Sequence, residues 1–304
     1  MPRALLPVLL ATALVLVGCG APTPARAAVP AAGAVVARAA TGAGPFMFIG
    51  GGTDQDDVMR AFAKVSGAPS APLVIVPLAS NDPPKSGQAY VDYLAQLGFP
   101  KASYLVPRAE PTEAERDLVA HAGGFFFSGG DQARILAGLT PGWRSALRAA
   151  WRRGAAIAGT SAGAMVWGDA AIMGGDPMAT GWYGEDPTKD GIRLAAGLGL
   201  VERLVVDTHF GERGRLPRVA YALAKGGGGL GIGSDPQTGA IVRMDGRIEV
   251  VGRGTVSVVR SAGQAAADGA ARVKSPLSIQ GLRLDILAGG DVLQVEPLAP
   301  AGGP

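Results

Sequence analysis

Between residues 46 and 158, short apolar runs alternate with segments of helical pattern, and this alternation constrains the fold more than any other feature. The runs are Phe46–Ile49, Pro72–Pro77 (PLVIVP), Ala102–Val106, Gly124–Phe127 (GFFF) and Ala155–Ala158. Helix candidates lie between them at about Asp56–Ser66, Gly87–Leu97, Thr112–Ala120 and Thr140–Arg153. Tyr90, Leu94 and Leu97 share one helical face, and Thr112 and Glu115 have the spacing of a reciprocal N-terminal cap. Runs this short and this continuously apolar are strands covered on both faces. The expected fold is α/β with a doubly wound, mostly parallel sheet, and such sheets bind ligands at the carboxyl ends of their strands.

The pattern changes after Gly226–Gly229. Ile241–Met244 and Arg247–Val251 flank Asp245-Gly246, which predicts a β-hairpin with a two-residue turn because Asp-Gly tolerates positive φ. Thr255–Val259 is a further strand candidate, and Pro276–Val295 holds two more. With no internal repeat and no second linker, residues 45–297 read as one catalytic domain with a C-terminal β-hairpin extension, followed by a tail, 298–304.

The N-terminus reads as an address. In MPRALLPVLLATALVLVGC, one Arg precedes an apolar run from Leu5 to Val17, shorter than the ~20 residues of a membrane span. Small residues follow, as at an export cleavage site. Leu16-Val17-Gly18-Cys19 resembles a bacterial lipobox, so residues 1–18 are expected to be a lipoprotein signal peptide and Cys19 the lipidated N-terminus. Acyl chains on Cys19 would anchor the protein to a bacterial membrane, facing the periplasm or the exterior. Residues 19–44 are nearly all Ala, Pro and Gly with scattered Arg, the composition of a tether. The positive mean hydropathy of +0.24 owes much to the leader.

Charge and cysteine content remove several function classes. Lys and Arg number 28 against 25 Asp and Glu, too balanced for a nucleic-acid partner. One Cys and two His leave no intramolecular disulfide and little for a zinc site. No cofactor is implied, and a homodimer is left open.

The chemistry is carried by Gly159-Thr160-Ser161-Ala162-Gly163, a G-x-S-x-G directly after an apolar strand and before a helix-compatible segment. A nucleophile on a sharp strand-to-helix turn needs small neighbours, and the free N–H groups beyond it can hold an oxyanion. Serine also needs a base. His121 ends a polar helix and reads as a helix-end residue. His209, at the end of the apolar strand in Val205–Gly211, is the credible partner. An α/β-hydrolase is disfavoured, because that fold expects the acid before a late His and no His follows His209. A dinucleotide-binding reading of Gly50-Gly51-Gly52 fails because Gln55 stands where a third glycine is needed.

Taken in order, Ile49-Gly50-Gly51-Gly52, Ser128-Gly129-Gly130-Asp131-Gln132, Gly159–Ala164 (GTSAGA) and Asp207-Thr208-His209-Phe210 with Arg213, Arg215 and Arg218 resemble the cyanophycinase and dipeptidase E family of serine peptidases, cyanophycinases most. The resemblance spans about Phe46–Pro297 and implies a class I glutamine-amidotransferase-like fold. It implies Ser161 as nucleophile, His209 as base, and an oxyanion hole from Ala162 N–H with the Gly129-Gly130 turn, Gly130 in particular. Gln132, Asp207, Arg213, Arg215 and Arg218 match residues lining the substrate pocket, where cationic forks suit a polymer of Asp and Arg. Without the resemblance, those arginines and Glu212 read as a solvated charged loop. The implied activity is hydrolysis of cyanophycin-like polymer to β-Asp-Arg dipeptides through an acyl-enzyme; the alternatives are an exopeptidase on other aspartyl or isoaspartyl peptides and a catalytically weak peptide-binding lipoprotein.

One position departs from the pattern. The family's relay acid belongs in a segment like G-I-G-x-D-E, and this chain has Gly231-Ile232-Gly233-Ser234-Asp235-Pro236. Pro236 falls where the Glu is expected. Asp235, Glu185 and Asp207 stay open as the third member.

Overall fold

The computed structural model describes residues 42–53, 55–175, 191–226, 229–261 and 279–301, all within the compact unit Arg38–Pro304. The leader with Cys19, all but the end of the tether, and Glu185 lie outside the described residues. Among the described residues no helix is long and apolar enough to cross a membrane.

Five strands form the parallel heart of the molecule: β1 (Phe46–Ile49), β2 (Leu73–Val76), β3 (Ala102–Tyr104), β4 (Gly124–Phe127) and β5 (Ala156–Thr160). Their helices are α1 (Asp56–Val65), α2 (Pro83–Gln96), α3 (Glu113–His121), α4 (Gln132–Gly138) and α5 (Pro141–Arg152). The strand residues alternate between two apolar layers. Phe46, Phe48, Val74, Phe125 and Ile157 pack with Val119 of α3 and with Trp143, Leu147 and Trp151 of α5. Met47, Ile49, Ile75, Phe126 and Ala158 pack with Val58, Met59 and Phe62 of α1 and Leu94 of α2. Both faces are therefore covered, which is why these runs read as unbroken apolar sequence.

The expected cap on α3 is present: Thr112 Oγ1 accepts from Glu115 N–H, and Glu115 Oε2 accepts from Thr112 N–H at 2.8 Å. Helix α2 begins earlier than its periodicity suggests. Asp82 accepts from Lys85 N–H at 3.2 Å, and Pro83-Pro84 occupy the first turn, where a missing N–H does no harm. Helix α4 is too short to leave a periodic signature, but Asp131 caps it through Ala133 N–H.

The predicted hairpin joins the central sheet. Strand β10 (Thr238–Val242) pairs antiparallel with β1, β11 (Arg247–Gly252) pairs with β10, and β14 (Val292–Gln294) closes that edge. Its turn differs from expectation by one residue. Val242 faces Ile248, and Arg243 N–H donates to Arg247 O, leaving the three-residue loop Met244-Asp245-Gly246. Gly246, at φ +87°, supplies the left-handed residue that such a loop needs.

A small hairpin, β6 (Ala170–Gly174) with β7 (Arg193–Ala196), follows β5. A second sheet runs β13-β12-β9-β8, built from β8 (Leu204–Thr208), β9 (Gly229–Ser234), β12 (Thr255–Ser261) and β13 (Leu282–Ala288). Helix α6 (Leu216–Lys225) packs against it. Gly231-Ile232-Gly233, which was not among the strand candidates, lies within β9. A Cβ on Gly231 would strike Val219 of α6, and one on Gly233 would strike the Phe210 ring. Glycine in a strand here marks close packing.

Candidate active site

Strand register assembles the site. Phe127 lies beside Gly159 and Ile49 beside Thr160, so the chain leaving β4 and the chain leaving β1 flank Ser161. Ser161 itself sits at φ +51°, a left-handed conformation that is unfavourable by ~1–2 kcal/mol for a residue with a Cβ. Its glycine neighbours allow the turn. A Cβ on Gly159 would overlap the Gly163 carbonyl, and one on Gly163 would overlap the Phe127 carbonyl.

The helix-compatible segment after Ser161 is only a single 3-10 turn, Ser161–Ala164. The carbonyls of Val166, Trp167 and Gly168 accept from Leu198, Leu200 and Gly199 N–H, so that stretch pairs with another segment instead of continuing a helix. A macrodipole contributes nothing here, and any oxyanion stabilisation falls to individual N–H groups. Ala162 is buried in this turn, and a Cβ on Gly129 would lie 3.3 Å from Ser161 Cβ. Gly130, at φ +138°, packs against the Ala79 carbonyl.

His209 follows β8 and also adopts a left-handed conformation, at φ +50°. Its N–H donates to Gly50 O at 2.9 Å, which ties the second sheet to the end of β1. The ring bridges two partners: Nε2 lies 3.1 Å from Ser161 Oγ, and Nδ1 lies 2.6 Å from Glu212 Oε1. Burial holds the His209 pKa below its ordinary value of 6.5, with Glu212 opposing that shift and Arg213 and Arg215 adding to it. The imidazole is therefore neutral at neutral pH, as a proton acceptor must be.

Gly51 backs this ring. At φ +96°, a Cβ on it would collide with His209 Cε1 and Nε2. Gly51→Ala is expected to fold, with kcat reduced about 10²-fold by displacement of the imidazole. Steady-state kinetics beside a circular dichroism spectrum test this; wild-type kcat would show that the ring tolerates the intrusion.

Asp207 is fully buried and takes Arg218 Nε at 2.8 Å and Nη2 at 3.0 Å. Arg215 Nη1 donates to Thr208 O at 2.7 Å and approaches Asp207 Oδ1 at 3.4 Å. Arg218 Nη1 donates to Gly175 O at 2.9 Å, leaving this guanidinium 3% exposed. Asp207 and Arg218 thus form an internal ion pair beneath the site, where the sequence reading expected pocket-lining contacts. Burial raises the Asp207 pKa against the pull of both arginines and lowers that of Arg215 to about 10. Gln132 donates its amide to Ile172 O at 2.8 Å, and Arg213 is half exposed, with Nε 3.5 Å from Glu212 Oε1. His121 stands at the exposed end of α3, against Asp117.

Neither described candidate for the third member meets the imidazole. Asp207 fails because His209 has left strand geometry, so the rule that residues two apart share a face does not apply. Asp235 Oδ1 accepts from Gly211 N–H at 2.7 Å, and Oδ2 accepts from Thr255 N–H and Oγ1. Glu212 was legible only as part of a charged loop. Its signal was the spacing of three residues after His209, which a tight turn folds back onto the ring.

Comparison with known proteins decides the family. The pattern of peptidase family S51 matches residues 46–251. The chain belongs to peptidase family S51. It is 34% identical over 257 residues to a cyanophycinase of Synechococcus elongatus, covering 82% of this chain and 78% of that one. It is 32% identical over 268 residues to a cyanophycinase of Geminocystis herdmanii strain PCC 6308, covering 84% and 96%. In fold it matches a solved peptidase from an acI-B1 Actinobacterium with a TM-score of 0.57 at 18% identity, over 84% of this chain and 98% of that one. This S51 chain is a serine-type peptidase, and its mixed α/β architecture with a mostly parallel central sheet agrees with the family fold.

Proposed function

We propose that this S51 peptidase is an exported cyanophycinase. The observation that carries the mechanism is Ser161 Oγ 3.1 Å from His209 Nε2 at the carboxyl ends of the strands. Ser161 Oγ attacks the scissile backbone carbonyl while Nε2 takes the hydroxyl proton. The tetrahedral oxyanion is received by Ala162 N–H and an N–H of the Gly129-Gly130 turn. Collapse breaks the C–N bond, and His209 returns its proton to the departing amine. Water then hydrolyses the acyl-enzyme by the same base, releasing a β-Asp-Arg dipeptide.

The substrate class is supported by the cyanophycinases to which the chain is similar. Arg213 is the half-exposed cation beside the imidazole and suits a substrate carboxylate. The leader and lipobox at Cys19 support a membrane-anchored protein that meets its substrate outside the cytoplasm.

The test is a soluble form starting at Gly20, incubated with insoluble cyanophycin beside its Ser161→Ala variant. Mass spectrometry of the supernatant is expected to find β-Asp-Arg from the wild type alone. No dipeptide from either protein would exclude the polymer as substrate, and a panel of isoaspartyl dipeptides would then test the exopeptidase alternative.

A further inference from the structure

We infer that Glu212 is the acid that orients His209, standing in for a carboxylate that the family pattern puts at position 236. The inference rests on the serine peptidase reading and adds a positioning residue to it. Proline at 236 offers the imidazole no side-chain acceptor. Asp235 is engaged by Gly211 and Thr255, and Asp207 by Arg218 and Arg215. Glu212 Oε1, at 2.6 Å, is the carboxylate oxygen on Nδ1.

The local backbone explains how a residue three positions along can reach the ring. Arg213 N–H donates to His209 O at 3.2 Å, Gly214 N–H to Gly211 O at 3.2 Å, and Arg215 N–H to Phe210 O at 3.0 Å. This tight coil folds residue 212 under residue 209, and Asp235 pins it through Gly211 N–H at 2.7 Å. Base and acid therefore share one turn, with Asp235, just past the adjacent strand β9, as the peg. A proton fixed on Nδ1 by Glu212 leaves the Nε2 lone pair aimed at Ser161 Oγ, the tautomer that general-base catalysis needs.

Glu212 is 46% exposed, against 16% for His209, so water screens the pair. Its removal is expected to weaken catalysis less than loss of a buried relay acid, which lowers kcat about 10⁴-fold. The groups acting on the imidazole are Glu212, which favours its protonation, and Arg213 and Arg215, which oppose it; Asp207 lies behind Arg215. Removing the Glu212 charge must therefore lower the His209 pKa. The acid limb of kcat/KM, which marks neutralisation of His209 as pH rises, then moves to lower pH.

The experiment follows both histidine rings by NMR across pH in the wild type, Glu212→Gln and Glu212→Asp, with cyanophycin turnover measured alongside. The chain has only His121 and His209, and His121 serves as the internal reference. In Glu212→Gln the His209 titration and the acid limb are expected to shift together to lower pH, with kcat down about 10²-fold and KM little changed. Glu212→Asp is expected to fall between. A folded Glu212→Gln protein with an unmoved His209 titration would overturn the inference. The NMR arm needs no substrate, so failure of the cyanophycin assay leaves this test standing, and an active enzyme with an unmoved titration sinks the inference alone.

Discussion

Ser161→Ala and His209→Ala are each expected to lower kcat on cyanophycin by about 10⁵–10⁶-fold, and the double variant by no more than either alone. The reason is geometric. Oγ and Nε2 are 3.1 Å apart, and neither forms the acyl-enzyme without the other: the hydroxyl is not ionised at neutral pH, and the imidazole is not itself placed as the attacking group. Residual catalysis then comes from the N–H groups of the 3-10 turn and from binding. Both variants should keep the wild-type circular dichroism spectrum and urea midpoint, because neither side chain supports a core layer. Quantified dipeptide release under single-turnover conditions measures the effect. Losses that multiply in the double variant would mean that the two residues act independently, and the acyl-enzyme scheme would fall.

The largest effect on stability is expected at Arg218. Arg218→Ala leaves the Asp207 carboxylate fully buried with Thr208 N–H at 2.8 Å and the longer Arg215 contact at 3.4 Å, and breaking a buried pair in this way costs about 3–5 kcal/mol. For a domain of this size that corresponds to a fall in Tm of roughly 6–20 °C. Arg218→Lys should rescue little, since an ammonium cannot take the place of Nε and Nη2 on both carboxylate oxygens. Replacing both partners, Asp207→Leu with Arg218→Met, should recover much of the loss, because the deficit comes from the stranded charge. Urea and thermal unfolding of the four proteins provide the measurement. An Arg218→Ala protein as stable as the wild type would show that water reaches Asp207 and that the pair is not internal.

The parallel sheet was readable because its strands are covered on both faces, so burial left unbroken runs such as FMFI and GFFF. Strand β9 was not, because Gly231 and Gly233 give their space to Val219 and Phe210, and a strand without side chains on one face has no alternation to detect. Helix α6 was hidden by its own arginine: Arg218, which seemed to belong to a polar loop, is the most deeply buried charged residue after Asp207 among the described residues. At the site, Ser161 stood out through its G-x-S-x-G setting after a strand, and His209 because the chain has only two histidines. Glu212 did not, since a carboxylate flanked by Gly211, Arg213 and Gly214 looks like any solvated turn until the coil through His209 O and Phe210 O is known. The hairpin register slipped for a similar reason. Asp245-Gly246 serves either a two- or a three-residue loop, and the bond from Arg243 N–H to Arg247 O selects the second.

The bonds that hold His209 spread the site over distant parts of the chain. The elbow around Ser161 needs only strands that precede it, whereas His209 is held by Gly50 O and its turn by Asp235, itself fastened to Thr255. A chain lacking residues beyond 208 would thus carry its hydroxyl with no imidazole beside it. The pairing of Ser161 with His209 is a property of the completed fold, joined from residues on both sides of the nucleophile in the chain.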